Sequence, residues 1–72
     1  MMKQTESLGV VLRTLRERKG WSLREAGEIS GVDFSCISRY ENDTTMPLLD
    51  SAVRLARAYG VTVNYLAPAI PK

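Results

Sequence analysis

Apolar residues recur along this chain at helical spacing. Leu8, Val11, Leu12 and Leu15 fall at i, i+3, i+4 and i+7, which predicts an amphipathic first helix from Glu6 to Arg18, ended by Gly20. Leu23, Ala26, Gly27 and Ser30 share one face of a short second helix, with small residues where a crossing helix needs close approach. A third helix opens at Phe34. Ile37 and Tyr40 point to one side of it, and Phe34, Ser35, Ser38, Arg39 and Asn42 to the other. Leu49, Ala52, Val53, Leu55 and Ala56 predict a fourth helix closed by Gly60, and Thr62 caps a short fifth running through Leu66. Pro68 and Pro71 follow. No strand, repeat or low-complexity stretch interrupts the series, so the expected fold class is all-α, a compact five-helix bundle. Its expected boundaries are a disordered polar N-terminus at 1–5, the bundle at 6–66 and a tail at 67–72.

The centre of the chain carries the turn chemistry. Ser22 is an N-cap and Glu25 stands at the third helical position, which together make a reciprocal capping box. Trp21, just outside, can fold over Ala26 as a hydrophobic staple. Gly31 supplies the left-handed conformation that stops the second helix, Val32 plugs the corner and Asp33 caps the third helix. Two capped helices around a glycine corner make a helix-turn-helix. Asp43-Thr44-Thr45-Met46-Pro47 follows as a loop, with Asn42 or Asp43 able to take a left-handed turn.

From Leu8 to about Leu66 the sequence resembles the Cro/C1-type (XRE) helix-turn-helix regulators. The residues carrying the resemblance are Leu12, Leu15-Arg16, Ser22, Glu25, Gly31-Val32, Ile37-Ser38-Arg39, Glu41, Pro47, Leu55-Ala56, Gly60-Val61 and Tyr65-Leu66. No one of these is rare; their joint spacing is specific. The resemblance implies a lambda-repressor-like bundle in which helices 2 and 3 form a DNA-binding helix-turn-helix. It also implies that Phe34, Ser35, Ser38 and Arg39 touch base edges in the major groove. Their chemistry suits that role: arginine can fork onto guanine, serines can contact several bases, and phenylalanine can pack on a thymine methyl. A merely solvated face would explain the serines and the arginine but not an outward phenylalanine. The family also commonly pairs the positions of Arg16 and Glu41, which periodicity places at the edge of the buried face, where a guanidinium can meet a carboxylate bidentately.

The chain departs from that pattern at its phosphate contacts. Leu23 stands where relatives often carry glutamine, and Thr44 and Thr45 where they carry lysine or arginine. Asn42, Thr44 and Thr45 are left as neutral donors, with Arg13 or Lys19 supplying charge. Charge distribution sharpens the point. The net charge is +2, but residues 1–19 carry +3, residues 20–43 carry −3 and residues 44–72 carry +2. An acidic reading unit is awkward for a ligand made of phosphates.

Composition narrows the function further. Seventy-two residues with 44% hydrophobic and 25% charged content suit one small globular domain. There is no apolar run long enough to span a bilayer, no signal-peptide pattern, one cysteine and no histidine, so a cytoplasmic protein without metal, cofactor or small-molecule ligand is expected. Cys36, near the start of the third helix, reads as a half-buried packing residue, with a thiol switch as the alternative. No serine has a histidine to activate it, and an enzyme is not expected. The expected function is a DNA-binding transcriptional regulator, a repressor occluding an operator. The rival is a protein-interaction module, such as an antitoxin or adaptor, on the same fold. Because one recognition helix reads few base pairs, a homodimer on a palindromic double-stranded operator is expected. The chain ends six residues after Leu66, so its contact is expected from Tyr59, Val61, Val63, Tyr65 and Ile70, with Leu66 in the core.

Overall fold

The computed structural model describes residues 7–66. In chain order they form α1 (Leu8–Arg18), α2 (Leu23–Ser30), α3 (Phe34–Glu41), α4 (Leu49–Tyr59) and α5 (Val63–Leu66), and no strand occurs among them. The expected N-terminal segment 1–5, Glu6, the tail 67–72 and the dimer candidate Ile70 lie outside the described residues.

Helix ends follow from local chemistry, with three differences from the sequence reading. α1 starts at Leu8 because Ser7 is its N-cap, extended in backbone and accepting the Val10 N–H at 3.2 Å. The capping box of α2 is complete: the Glu25 N–H donates to Ser22 Oγ at 3.1 Å, and the Ser22 N–H donates to Glu25 Oε1 at 2.8 Å. Gly31, at φ 81°, ends that helix and its N–H donates to the Gly27 carbonyl. Asp33 occupies the N-cap position of α3 but does not cap it. Its Oδ2 accepts instead from the hydroxyl of Ser35 at 2.6 Å, and a charged acceptor holds an O–H more strongly than an amide N–H. α4 lacks a side-chain cap, because Leu48 holds the N-cap position. Leu48 and Leu49 are exposed, so Leu49 is not part of the buried stripe, which runs through Ala52, Leu55, Ala56 and Tyr59.

One core joins the helices: Leu8, Leu12 and Leu15 from α1, Ala26 from α2, Val32 from the corner, Ile37 from α3, Leu55, Ala56 and Tyr59 from α4, and Leu66. α3 lies against α1 and α2, and α4 bridges α2 to α5. The buried position of Tyr59 corrects its expected dimer role; its ring stacks on Trp21 with centroids 6.0 Å apart. Trp21, expected over Ala26, packs on the core that contains Ala26 and meets the Tyr59 ring there. Val61 and Val63 are partly buried against the same core, which leaves Tyr65 as the exposed member of the expected contact set among the described residues.

The Tyr59 hydroxyl is buried without a hydrogen-bond partner among the described residues. Desolvation, reinforced by the negative charge of Glu41 and partly opposed by Arg16, pushes its pKa up to about 12. The folded-state value exceeds the unfolded one near 10, so this contribution is whole below pH 10 and is lost as pH rises toward 12. Over that window Tyr59 should remove about 2–3 kcal/mol of stability. Urea unfolding of wild type and Tyr59→Phe at pH 9 and pH 11.5 checks this: the variant should lose less stability between the two values. Parallel losses would mean that the hydroxyl is solvated.

Candidate nucleic-acid interface

The Gly31 corner brings the start of α3 against α2, and the burial of Ile37 sets the roll of α3. With Ile37 facing the core, Phe34, Ser35 and Arg39 are exposed and Ser38 is half-buried. Phe34, at the tip, is 43% exposed, a large apolar ring left in water where a polar residue would serve. The Arg24 guanidinium lies over this ring, 5.3 Å from its centroid. Arg39 forms no ion pair among the described residues. The Ser35 hydroxyl donates to Asp33, which leaves its lone pairs to accept from an incoming donor.

At the other end of α3 the side chains are joined to α1. Arg16 Nε donates to Glu41 Oε2 at 2.7 Å and Nη2 to Oε1 at 2.9 Å, while Nη1 donates to the Trp21 carbonyl at 2.9 Å. Glu41 is the one charged residue among the buried ones of the described residues. Its hydrogen bonds raise the pKa of Arg16 further, against the opposing effect of burial. Arg13 is tethered here too: its Nε lies 3.5 Å from Glu41 Oε1, and its Nη2 donates to Asn42 Oδ1 at 3.5 Å. It stays half-exposed, so its charge is shared between this pair and solvent. Lys19 is exposed, with its ammonium 5.8 Å from the centroid of the Trp21 ring.

Asp43 and Gly9 have roles that sequence reading missed. Asp43 takes the left-handed turn, at φ 58°, and its Oδ1 accepts the Gly9 N–H at 3.0 Å, placing a carboxylate on the positive end of α1. The Thr44 N–H donates to the Arg39 carbonyl at 2.9 Å, which ties the loop to the last turn of α3; Thr44 and Thr45 are exposed beside it. A glycine inside the amphipathic run of α1 was the signal available for close approach.

These contacts give most acidic groups of the central stretch a partner, although among the described residues only Glu41 meets a cation and the others keep their charge. Glu25 is in a capping box, Asp33 holds Ser35, Glu41 holds Arg16 and Arg13, and Asp43 caps α1. Four of its five acidic groups are thus turned to the protein's own donors, and Glu28 is the remaining one. Cys36 is half-buried and packed against the core. Among the described residues no group of three or more His, Cys, Asp or Glu side chains could hold a metal, and no helix is long and apolar enough to cross a membrane.

A boxed helix, a left-handed corner and a second helix with one exposed face define a helix-turn-helix domain. The profile of the helix-turn-helix family matches residues 12–66, and the chain belongs to the Cro/C1-type (XRE) helix-turn-helix regulators. It is 34% identical over 56 residues to the HTH-type transcriptional regulator PuuR of Escherichia coli (strain K12), a match covering 78% of this chain and 30% of that protein. It is 33% identical over 60 residues to the HTH-type transcriptional regulator ImmR of Bacillus subtilis (strain 168), covering 83% of this chain and 47% of the relative. The chain therefore spans less than half the length of either. Among solved structures, the P22 c2 repressor in complex with synthetic operator 9T superposes with a TM-score of 0.81 at 26% identity, over 86% of this chain and 94% of that one.

Proposed function

We propose that this protein is a sequence-specific double-stranded DNA-binding transcriptional regulator that lays α3 in the major groove. The observation that carries the reading is the exposed face of α3. Phe34 and Arg39 stand outward and Arg39 forms no ion pair among the described residues, while of the neighbouring carboxylates Glu41 is buried against Arg16, and the exposed Asp33 and Asp43 each already hold a donor of the protein. Phe34, Ser35, Ser38 and Arg39 contact base edges, and Asn42, Thr44, Thr45 and Arg13 contact phosphates. The P22 c2 repressor, alike in fold, is itself solved on operator DNA, which supports the same partner here. The protein acts in the cytoplasm as a homodimeric repressor on a palindromic operator, with Tyr65, aided by the edges of Val61 and Val63, at the contact between copies.

Exposed Leu48 and Leu49 support the second reading, a protein-interaction module. Selection of bound duplexes from a random pool by the purified protein separates the two: recovery of a two-fold symmetric site is expected, and a pool left unenriched would reject the DNA reading. On the selected site, Arg39→Ala should lower affinity by about 1–3 kcal/mol and relax choice at one base position. Binding titrations against single-position site variants measure this. Equal loss on every sequence would reassign Arg39 to phosphate.

A further inference from the structure

We infer that Arg24 is a positioning residue for base readout, holding the ring of Phe34 so that the pair discriminates a pyrimidine carrying a 5-methyl group from one lacking it. The inference rests on the functional reading above. It begins with how Phe34 is seated. A Cβ on Gly27 would lie 3.0 Å from the Val32 carbonyl oxygen and 3.2 Å from both the Cβ and the backbone nitrogen of Phe34. The absence of that carbon lets α2 press on the first residue of α3 and pins its backbone. Arg24 lies three residues before Gly27, on the same face of α2 and one turn away. From there its guanidinium covers the Phe34 ring. Backbone and ring are thus held from one helix, by a missing side chain and by a cation.

Arg24 is a locally unfavourable choice. It stands in the first turn of α2, where the helix macrodipole favours an anion and disfavours a cation. Glu28, four residues on, is at the right spacing for an intrahelical ion pair, yet Arg24 forms none with it; its contact is the ring. A residue that breaks a local rule without local compensation marks a functional position. With the guanidinium over the ring, Phe34 is held against free rotation at the tip of α3, where the first residues of a recognition helix meet base edges. A fixed apolar ring suits the 5-methyl of thymine, the one apolar group on the major-groove edge of a base pair.

The test uses the selected site with each thymine replaced singly by deoxyuridine, which removes the methyl and leaves pairing intact. Wild type should lose about fourfold in affinity at one thymine per half-site, the worth of one buried methyl. Phe34→Ala should bind thymine and uracil versions equally. Arg24→Met, which keeps the stem and removes the cation, should bring that thymine-to-uracil ratio close to one with the melting temperature unchanged. Arg24→Lys should retain most of the ratio. A wild-type protein that shows no uracil sensitivity overturns the inference, as does an Arg24→Met variant that keeps the ratio or weakens both versions by the same factor while preserving it. The last result would make Arg24 a phosphate anchor. A wild-type protein that selects no site at all overturns the functional reading, and this inference with it.

Discussion

Glu41→Ala should cost this domain about 2–4 kcal/mol. Removing one partner of a buried ion pair costs more than the pair itself contributes, because the remaining charge stays desolvated. Arg16 keeps the Trp21 carbonyl and some solvent access, which holds the loss below that of a fully enclosed guanidinium. A domain of this size has roughly 4–11 kcal/mol in total, so the variant should be partly unfolded near 37 °C. Glu41→Gln retains a carbonyl acceptor for Nε and should lose less. Denaturant unfolding of the two variants beside wild type is the measurement. A midpoint unmoved by Glu41→Ala would mean that the contact at 2.7 Å contributes nothing, and an equal loss in both variants would place the effect in charge alone.

Gly9→Ala should be nearly as damaging, although alanine is the better helix former by about 1 kcal/mol. A Cβ on Gly9 would lie 2.5 Å from the carbonyl oxygen of Glu41 and 2.8 Å from that of Tyr40, and backbone atoms cannot rotate away. α1 would have to withdraw from the end of α3, stretching the bond between the Gly9 N–H and Asp43. Overpacking of about 1–3 kcal/mol and a charge-assisted hydrogen bond of about 1.5–3 kcal/mol outweigh the gain in propensity, for a net loss of about 1.5–5 kcal/mol. Thermal unfolding decides it. Gly9→Ala melting at or above the wild-type temperature would show that the two helices have room to separate. The loss should also weaken operator binding, because Asp43 and Thr44 set the loop beside the α3 face.

Local rules carried much of the fold. The capping box at Ser22 and Glu25, the left-handed corner at Gly31 and the i, i+3, i+4 run of α1 each depend on residues within a turn of one another. Local rules failed where a residue type fits more than one environment. Asp33 fits the N-cap position by type, but its carboxylate takes the Ser35 hydroxyl. Leu49 fits the apolar period of α4, but its turn stands clear of the core. Tyr59 fits both a core and an interface residue, and the stacking partner that decides between them is Trp21, 38 positions earlier in the chain.

The candidate site divides along the same line. The outward set on α3 was legible because burial of Ile37 at period 3.6 leaves only one face for Phe34, Ser35, Ser38 and Arg39. The acidity of residues 20–43 was legible as a sum and misleading as a surface. Charge is counted along the chain, whereas its field depends on which carboxylates meet the protein's own donors. Those donors come from 25 to 34 positions away for Glu41 and Asp43, and no periodicity spans that separation. By itself, then, the sequence determined the helices, their order, their buried faces and the residues turned outward, since short-range sterics, capping and hydrophobic period dictate these. Only the tertiary structure decided which charges remain for a ligand, what Gly9 makes room for and how Arg24 holds Phe34, because each depends on the crossing of two helices.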